Sequence, residues 1–423
     1  MVKSKPSMPS DSKFRIILFL SGLIFVPVVT VLVIYFARGY RPDFTTGQIQ
    51  PTGLLVAHSY PDGAQVYLNG SLKSATNSTL NLPPGTYQVQ IKKDGYHSWQ
   101  KKLLVEAEVV TRATAVLFPS TPTLKAITTT GATLPALSPD GTKVAYIRTP
   151  SALSQIYTLD ITESPLGLIN RESKLIATLP ANHELKTTNY ELLWSPDSRQ
   201  ILIIVNPQTA YLVTPSDQQS PIQTANAAVM QNTWTQSQKV VEAEKFRTLP
   251  VPLKDLLASA SARLVWSPKE NRLLYTATAS AILADNIIKP LLGSSTQPQE
   301  RQLSPGGVYV YDLEEDRNFK IDQLPLPTPA AKSAKNTDSS SLQPENAGWS
   351  WFPTSSHLLK VEANTITIME YDGQNPAVVY TGPLSEPTAI PYPSAKQLLI
   401  LTNLQPTPAA ATPSANLYAI SLR

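Results

Sequence analysis

The residues able to do chemistry are few and scattered. Four histidines, His58, His97, His183 and His357, stand far apart, and no two take the HExxH spacing that puts two imidazoles on one helix face for zinc. Cysteine is absent, which removes disulfides, thiolate metal ligands and a cysteine nucleophile. No Gly-x-Ser-x-Gly elbow, Walker loop or GxGxxG occurs, so serine acyl transfer and phosphate or dinucleotide binding lack their usual frames. The sequence therefore implies no catalytic, cofactor-binding or metal-ligating residue, and no cofactor. Its most regularly placed carboxylates, Asp140 and Asp197, each follow a serine by two positions, a spacing that suits hydrogen bonding to turn amides. Tyr96, His97 and Trp99 are candidates for stacking on a sugar ring, with structural packing the favoured reading. Asn69-Gly70-Ser71 and Asn77-Ser78-Thr79 match a glycosylation acceptor pattern and read as turns.

The element that must position the chain is a 22-residue stretch, Ile16 to Ala37, without a charge. At about 1.5 Å per residue it matches a hydrocarbon core roughly 30 Å thick. Pro27 predicts a kink, because leaving the helix would strand backbone polar groups in lipid. Residues 1–41 carry Lys3, Lys5, Lys13, Arg15, Arg38 and Arg41 against Asp11, hence +5, leaving 29 basic and 30 acidic residues elsewhere. Four of those cations precede the apolar stretch, so the positive-inside bias predicts a cytoplasmic tail over 1–15, a single transmembrane helix over 16–37 in contact with the lipid bilayer, and everything after it exported. A cleaved signal peptide is the alternative; the length of the run and Tyr35-Phe36-Ala37-Arg38-Gly39 argue for an uncleaved signal-anchor. A near-neutral body excludes nucleic acid as a partner, since nothing repays counterion release.

Beyond a Pro/Gly-containing linker over 38–51 the pattern turns to strands. Ala64 to Leu68 alternates and runs into Asn69-Gly70, a tight-hairpin dipeptide. Thr86 to Lys92 places Tyr87, Val89 and Ile91 on one face and Gln88, Gln90 and Lys92 on the other. Pro61-Asp62-Gly63-Ala64, Asn69-Gly70, Pro84-Gly85 and Gly95-Tyr96 follow in order, and with them residues 52–119 resemble the PEGA domain family, with Asp62 where that family has glutamate. The resemblance implies a small β-sandwich-like module of exported or surface proteins and carries over no catalytic residue.

From residue 120 one unit recurs five times: a strand, a Pro turn and an apolar returning strand. The turns are Leu137-Ser138-Pro139-Asp140-Gly141, Trp194-Ser195-Pro196-Asp197-Ser198 and Trp266-Ser267-Pro268-Lys269-Glu270, with two degraded copies, Trp349-Ser350-Trp351-Phe352-Pro353 and Pro391-Tyr392-Pro393-Ser394-Ala395. A third strand is expected near Gln155–Leu159, Ala210–Val213, Gly307–Asp312, Thr365–Tyr371 and Asn416–Ile420. The turn prolines are 57, 72, 85 and 40 residues apart, so insertions interrupt the repeat. Lys239 to Ala262, broken at Pro250-Val251-Pro252, and Ala281 to Leu292 are expected as helices; Pro325 to Gly348 and Leu404 to Ser414 as loops. The hairpin signature resembles that of TolB-type and WD40-like propellers, which implies that 120–423 is an irregular β-propeller of five or six blades, with a strand near Pro122 to Ile127 completing the last sheet.

The expectation is thus an all-β protein behind one N-terminal transmembrane helix. It reads as a bacterial cell-envelope binding or scaffold protein whose propeller engages a protein or cell-wall glycan partner, and not as an enzyme. The alternative, an exported propeller hydrolase or lyase acting on glycan or peptide, requires carboxylates to converge in one pocket. A sensor subunit is a weaker third reading, because a tail of about 15 residues holds no output domain.

Overall fold

A computed structural model describes residues 11–37, 39–43, 48–148, 153–163, 172–180, 190–206, 208–216, 221–289, 291, 293–325, 348–404 and 415–423. Among these, strands dominate, and the first element is an apolar helix, α1 (Asp11–Ala37). Its segment Phe14–Ala37 is long and apolar enough to cross a membrane, and none of it is buried in protein. The polar side chains within it are satisfied locally: Ser21 Oγ donates to the Leu18 carbonyl (2.9 Å) and Thr30 Oγ1 to that of Val26 (2.7 Å). In hydrocarbon this matters, because an unpaired hydroxyl finds no water there.

The chain divides into two compact units. The first comprises Met1–Lys92, Trp99–Val116 and Leu292–Thr296. In it a three-stranded sheet (Ser78–Leu82, Gly53–Tyr60, Val110–Val116) and a four-stranded sheet (Ser71–Ala75, Gln65–Leu68, Gly85–Lys92, Trp99–Val105) supply a common set of buried residues. Leu55, Ala57, Val66, Leu68, Val89, Ile91, Trp99, Leu103, Val105, Ala113 and Ala115 are all buried. The alternation expected over Thr86–Lys92 is present, with Val89 and Ile91 inside and Lys92 outside. Asn69 (φ 49°) and Gly70 (φ 81°) form the left-handed pair that a tight hairpin requires.

The second unit comprises Lys93–Ser98, Leu117–Leu291 and Gln297–Arg423. Among its described residues are five four-stranded antiparallel sheets. Sheet I is Thr133–Leu137, Lys143–Arg148, Gln155–Asp160 and Lys174–Thr178; sheet II is Glu191–Trp194, Ile201–Asn206, Thr209–Val213 and Ile222–Thr224. Sheet III is Ser261–Trp266, Arg272–Ala277, Gly307–Asp312 and Arg317–Gln323; sheet IV is Trp349–Trp351, His357–Val361, Thr365–Glu370 and Ala377–Thr381. Sheet V combines Ala389–Pro391, Gln397–Thr402 and Asn416–Ser421 with Leu124–Ala126, whose residues pair with Ile420, Ala419 and Tyr418. The strand expected near Pro122 to Ile127 is therefore joined to the far end of the unit.

Each returning strand is buried on both faces, as in Val144–Ile147, Ile201–Ile203 and Leu398–Leu401. Sheets that are wet on neither side must pack on neighbours through both faces. Val144 and Tyr146 of sheet I share a cluster with Leu399 and Leu401 of sheet V, while Ala145 and Ile147, one residue out of phase, meet Ile201 and Ile203 of sheet II. Leu274 and Val310 of sheet III likewise meet Leu358 of sheet IV. The remaining face of sheet III, with Leu273, Tyr275 and Tyr309, is covered differently. It packs on Leu249, on Leu253 and Leu257 of a short helix, and on Leu283 and Leu303 of a small hairpin (Ala281–Ile282, Gln302–Leu303).

The helical insertion is α2 (Ala227–Arg247) followed by α3 (Val251–Ala260), broken at the expected prolines. It begins 12 residues before Lys239, because Ala227 to Gln238 is too polar to show apolar periodicity, and α2 has no buried residue. The second expected helix, Ala281 to Leu292, is not one: Ala281 and Ile282 pair with Leu303 and Gln302, and Asn286 turns left-handed (φ 55°). Nearly all of Pro325 to Gly348 and of Leu404 to Ser414 lies outside the described residues.

Candidate functional site

The five repeated turns share one geometry, the fourth counted from Trp351. The amide of residue 2 of each turn bonds the carbonyl five positions on, as in Ser138 to Lys143, Ser195 to Gln200, Ser267 to Arg272, Phe352 to His357 and Tyr392 to Gln397. Residue 5, namely Gly141, Ser198, Glu270, Ser355 or Ala395, has φ between 58° and 70° and donates its amide back to residue 2. Where residue 2 is serine its hydroxyl works both ways: Ser138 Oγ donates to Asp140 Oδ1 (2.6 Å) and accepts from the Lys143 amide (3.0 Å). Ser195 does the same with Asp197 (2.6 Å) and the Gln200 amide (2.9 Å). Asp140 and Asp197 are thus turn residues. Partial burial raises the Asp140 carboxyl, but hydrogen bonds from Ser138 and Thr142 outweigh it and hold it below the ordinary value; the Ser195 hydroxyl does the same for Asp197.

Residue 1 is tryptophan in the second, third and fourth turns, and its indole acts between sheets. Trp194 Nε1 donates to the Ala136 carbonyl of sheet I (3.0 Å), and Trp351 Nε1 to the Val265 carbonyl of sheet III (3.0 Å). Both acceptors stand two residues before the serine of the preceding turn. A second bond repeats with them: the Asp140 amide donates to Ser198 Oγ (3.1 Å) and the Lys269 amide to Ser355 Oγ (3.0 Å). Between sheets II and III neither bond is made. The position that Ser198 and Ser355 hold belongs there to Glu270, which pairs with Lys245 (2.6 Å), and the Trp266 indole N–H is buried without a partner. A cleft of about 530 Å³ lies beside it, lined by Lys239, Glu242, Ala243 and Phe246 of α2 and by Arg263, Leu264, Val265 and Trp266 of sheet III.

The buried ionisable groups serve structure. Arg272 Nε meets Asp312 Oδ2 at 2.7 Å, its Nη1 donates to the Ser355 carbonyl (3.1 Å), and its guanidinium lies 4.0 Å from the Tyr371 ring centre. Burial lowers the Arg272 guanidinium, yet Asp312 and Tyr371 together more than offset that and raise it above its ordinary value. Arg301 pairs with Asp285 (3.0 Å) and Asp316 (2.9 Å), and Tyr311 donates to Asp316 (2.5 Å). Lys360 Nζ and Trp349 Nε1 both donate to Asp322 Oδ2 (2.8 Å each), joining sheets IV and III.

His58 bonds Asn77 (2.9 Å) at an exposed edge, and His357 is buried with Thr354 at its Nδ1 (3.0 Å) and the Phe118 ring edge-on to it. His183 lies outside the described residues. Among those described, no group of three or more His, Asp or Glu is placed to hold a metal. Trp99 is 3% exposed, so it packs and offers no stacking face. Asn69 Oδ1 accepts the Gln88 amide (2.9 Å), which is turn chemistry. No residue-level signal in the sequence singled out Trp266: the indole bonds run to acceptors 58 and 86 residues away.

Residues 52–121 match the family model for the PEGA domain. A comparison with curated proteins found no significant match. Among solved structures the chain is similar to TolB from Acinetobacter baumannii, at 14% identity over 79% of this chain and 59% of that one, with a TM-score of 0.21. This chain thus spans less than two thirds of that structure's length. It is also similar to the C-terminal WD40 domain of Sif2 (13%, 67% and 70%, TM-score 0.22) and to a luciferin-regenerating enzyme (9%, 71% and 95%, TM-score 0.27). These similarities are distant; the five sheets and their shared turn are features of the chain itself.

Proposed function

We propose that this chain is a membrane-anchored, extracytoplasmic binding or scaffold protein of the cell envelope and not an enzyme. The tail over 1–15 is cytoplasmic, 16–37 spans the bilayer, 38–51 is a linker, the PEGA module occupies 52–119, and 120–423 is a five-bladed propeller. The last blade is completed by Leu124–Ala126, which ties the beginning of the propeller to its end. Its partner is a protein or a cell-wall glycan.

One observation carries the non-catalytic half of this reading: the buried carboxylates Asp312 and Asp316 are each held by a guanidinium, Asp312 by Arg272 of the adjacent strand and Asp316, in the turn that follows, by Arg301. A reacting group needs a free face toward substrate, and a carboxylate held by a buried guanidinium has none to offer. The apolar helix, none of whose spanning residues is buried in protein, supports the membrane half. Fusing alkaline phosphatase or green fluorescent protein to the C-terminus tests the topology. An active phosphatase with a dark fluorophore is expected; the reverse pair would place the body in the cytoplasm and end the proposal.

A further inference from the structure

The three tryptophan-bearing turns are internal templates for one another. Trp194 and Trp351 each give their indole N–H to a main-chain carbonyl of the neighbouring first strand, and Trp266, at the same position, gives its own to nothing. A buried N–H left unpaired is destabilised, so the empty position has an affinity for what fills it elsewhere: a carbonyl on an extended chain. By register the internal candidate is the Leu193 carbonyl of sheet II, but α3 and the small hairpin cover the face of sheet III that would have approached it.

A second template gives the charge. Leu134 in sheet I and Arg263 in sheet III both stand four residues before the turn serine, both have positive φ (52° and 56°), and both sit in a bulge. Bulges re-aim a strand's polar groups. At Leu134 the amide so turned donates to the Glu386 carboxylate (3.2 Å). At Arg263 no carboxylate arrives among the described residues, and a guanidinium is added. Lys239 on the opposite wall is a second cation, against the single anion Glu242. The edge is open too, since Ser261–Trp266 is an outer strand of its sheet. The facing helix is loosely held: residues 235–244 of α2 are exposed on every side, Val240 and Val241 at 67% and 54%. Its yielding costs little.

We propose that the cleft between α2 and the first strand of sheet III binds an extended acidic peptide segment of a partner protein. One main-chain carbonyl of that segment accepts the Trp266 indole N–H, and one carboxylate pairs with Arg263. This is strand-edge recognition, with the main chain supplying affinity and the charge supplying selectivity. It deepens the binding reading above by naming a site and a ligand class, and it does not depend on which side of the membrane the site faces.

The test is a selection of displayed random short peptides against the full chain in detergent, followed by affinities for wild type, Trp266→Phe and Arg263→Glu. Selected peptides are expected to be rich in Asp and Glu, to bind Trp266→Phe about 5-fold more weakly and Arg263→Glu about 10-fold more weakly, and to shift the Trp266 indole ¹⁵N–H resonance. Arg263 is exposed, so its variant reports on binding even if Trp266→Phe loosens the fold. Recovery of no peptide, or of peptides indifferent to both substitutions, overturns the proposal. So does a Trp266 indole proton whose chemical shift in the free chain already matches the hydrogen-bonded indole protons of Trp194 and Trp351, which would mean that it has an acceptor within the chain. The phosphatase fusion is blind to all of these outcomes, so the two proposals fail separately.

Discussion

The seams on the two sides of sheet III begin from the same sequence signature and end in opposite states. Toward sheet IV, Trp351 reaches the Val265 carbonyl, the Lys269 amide reaches Ser355, Arg272 bridges Asp312 and the Ser355 carbonyl, and Asp322 collects Lys360 and Trp349. Toward sheet II, an equivalent tryptophan stands idle beside a cleft, and helices take the place of a partner sheet. The residue type is shared; what differs is whether an insertion has displaced the neighbour. A signature that closes a repeat at one interface becomes, at an interrupted one, an unsaturated surface.

The comparison can be broken hardest at Arg272. Replacing it by methionine leaves the fully buried Asp312 without its cation, and truncating one partner of a buried pair typically costs about 3–5 kcal/mol. A fall of that size in the unfolding free energy of the full chain in detergent is expected, and a change within error would show that this network does not hold sheets III and IV together. Next comes Asp322→Asn, which leaves Lys360 and Trp349 with a weaker acceptor; about 1–2 kcal/mol should be lost at neutral pH.

That loss should depend on pH. Burial raises the Asp322 carboxyl, but Lys360 and Trp349 bring it below its ordinary value. A carboxyl whose folded pKa lies below its unfolded one stabilises the fold above about pH 4 and loses that contribution as pH falls through the folded value. Wild type and Asp322→Asn should therefore converge in thermal midpoint on acidification below about pH 4, and parallel curves would count against the assignment. A sharper version of the comparison uses tryptophan to phenylalanine, which removes the N–H and part of the indole at both sites, so that the difference between the two reports on the hydrogen bond. Trp351→Phe should cost about 1 kcal/mol more than Trp266→Phe, which loses no bond. Equal losses would make the seams equivalent after all. The smallest effect belongs to the exposed helix: Val240→Ser and Val241→Ser should each change stability by under about 0.5 kcal/mol.

Much of the framework was legible because its determinants are local. A Ser-Pro turn needs a left-handed residue three positions after the serine, and Gly141 or Ser198 meets that need within a single hairpin. Strand alternation in Thr86–Lys92 and the charge-free run before Ala37 are likewise readable along the chain. The strands Gln155–Asp160, Thr209–Val213, Gly307–Asp312, Thr365–Glu370 and Asn416–Ser421 fall where third strands are expected. Ala281 to Leu292 misled because a short apolar run fits either period, and pairing with Gln302–Leu303 decided for a strand. Helix α2 was half hidden because it buries nothing, so no apolar stripe marks its first three turns.

By itself, then, the sequence determined the apolar helix long enough to cross a membrane, the PEGA module and the five-fold hairpin signature, all of which follow from spacings within one element or one turn. Only the tertiary structure decided which tryptophan is satisfied and which is not. An indole N–H finds its acceptor on another sheet, and whether that sheet stands within about 3 Å depends on everything packed between them.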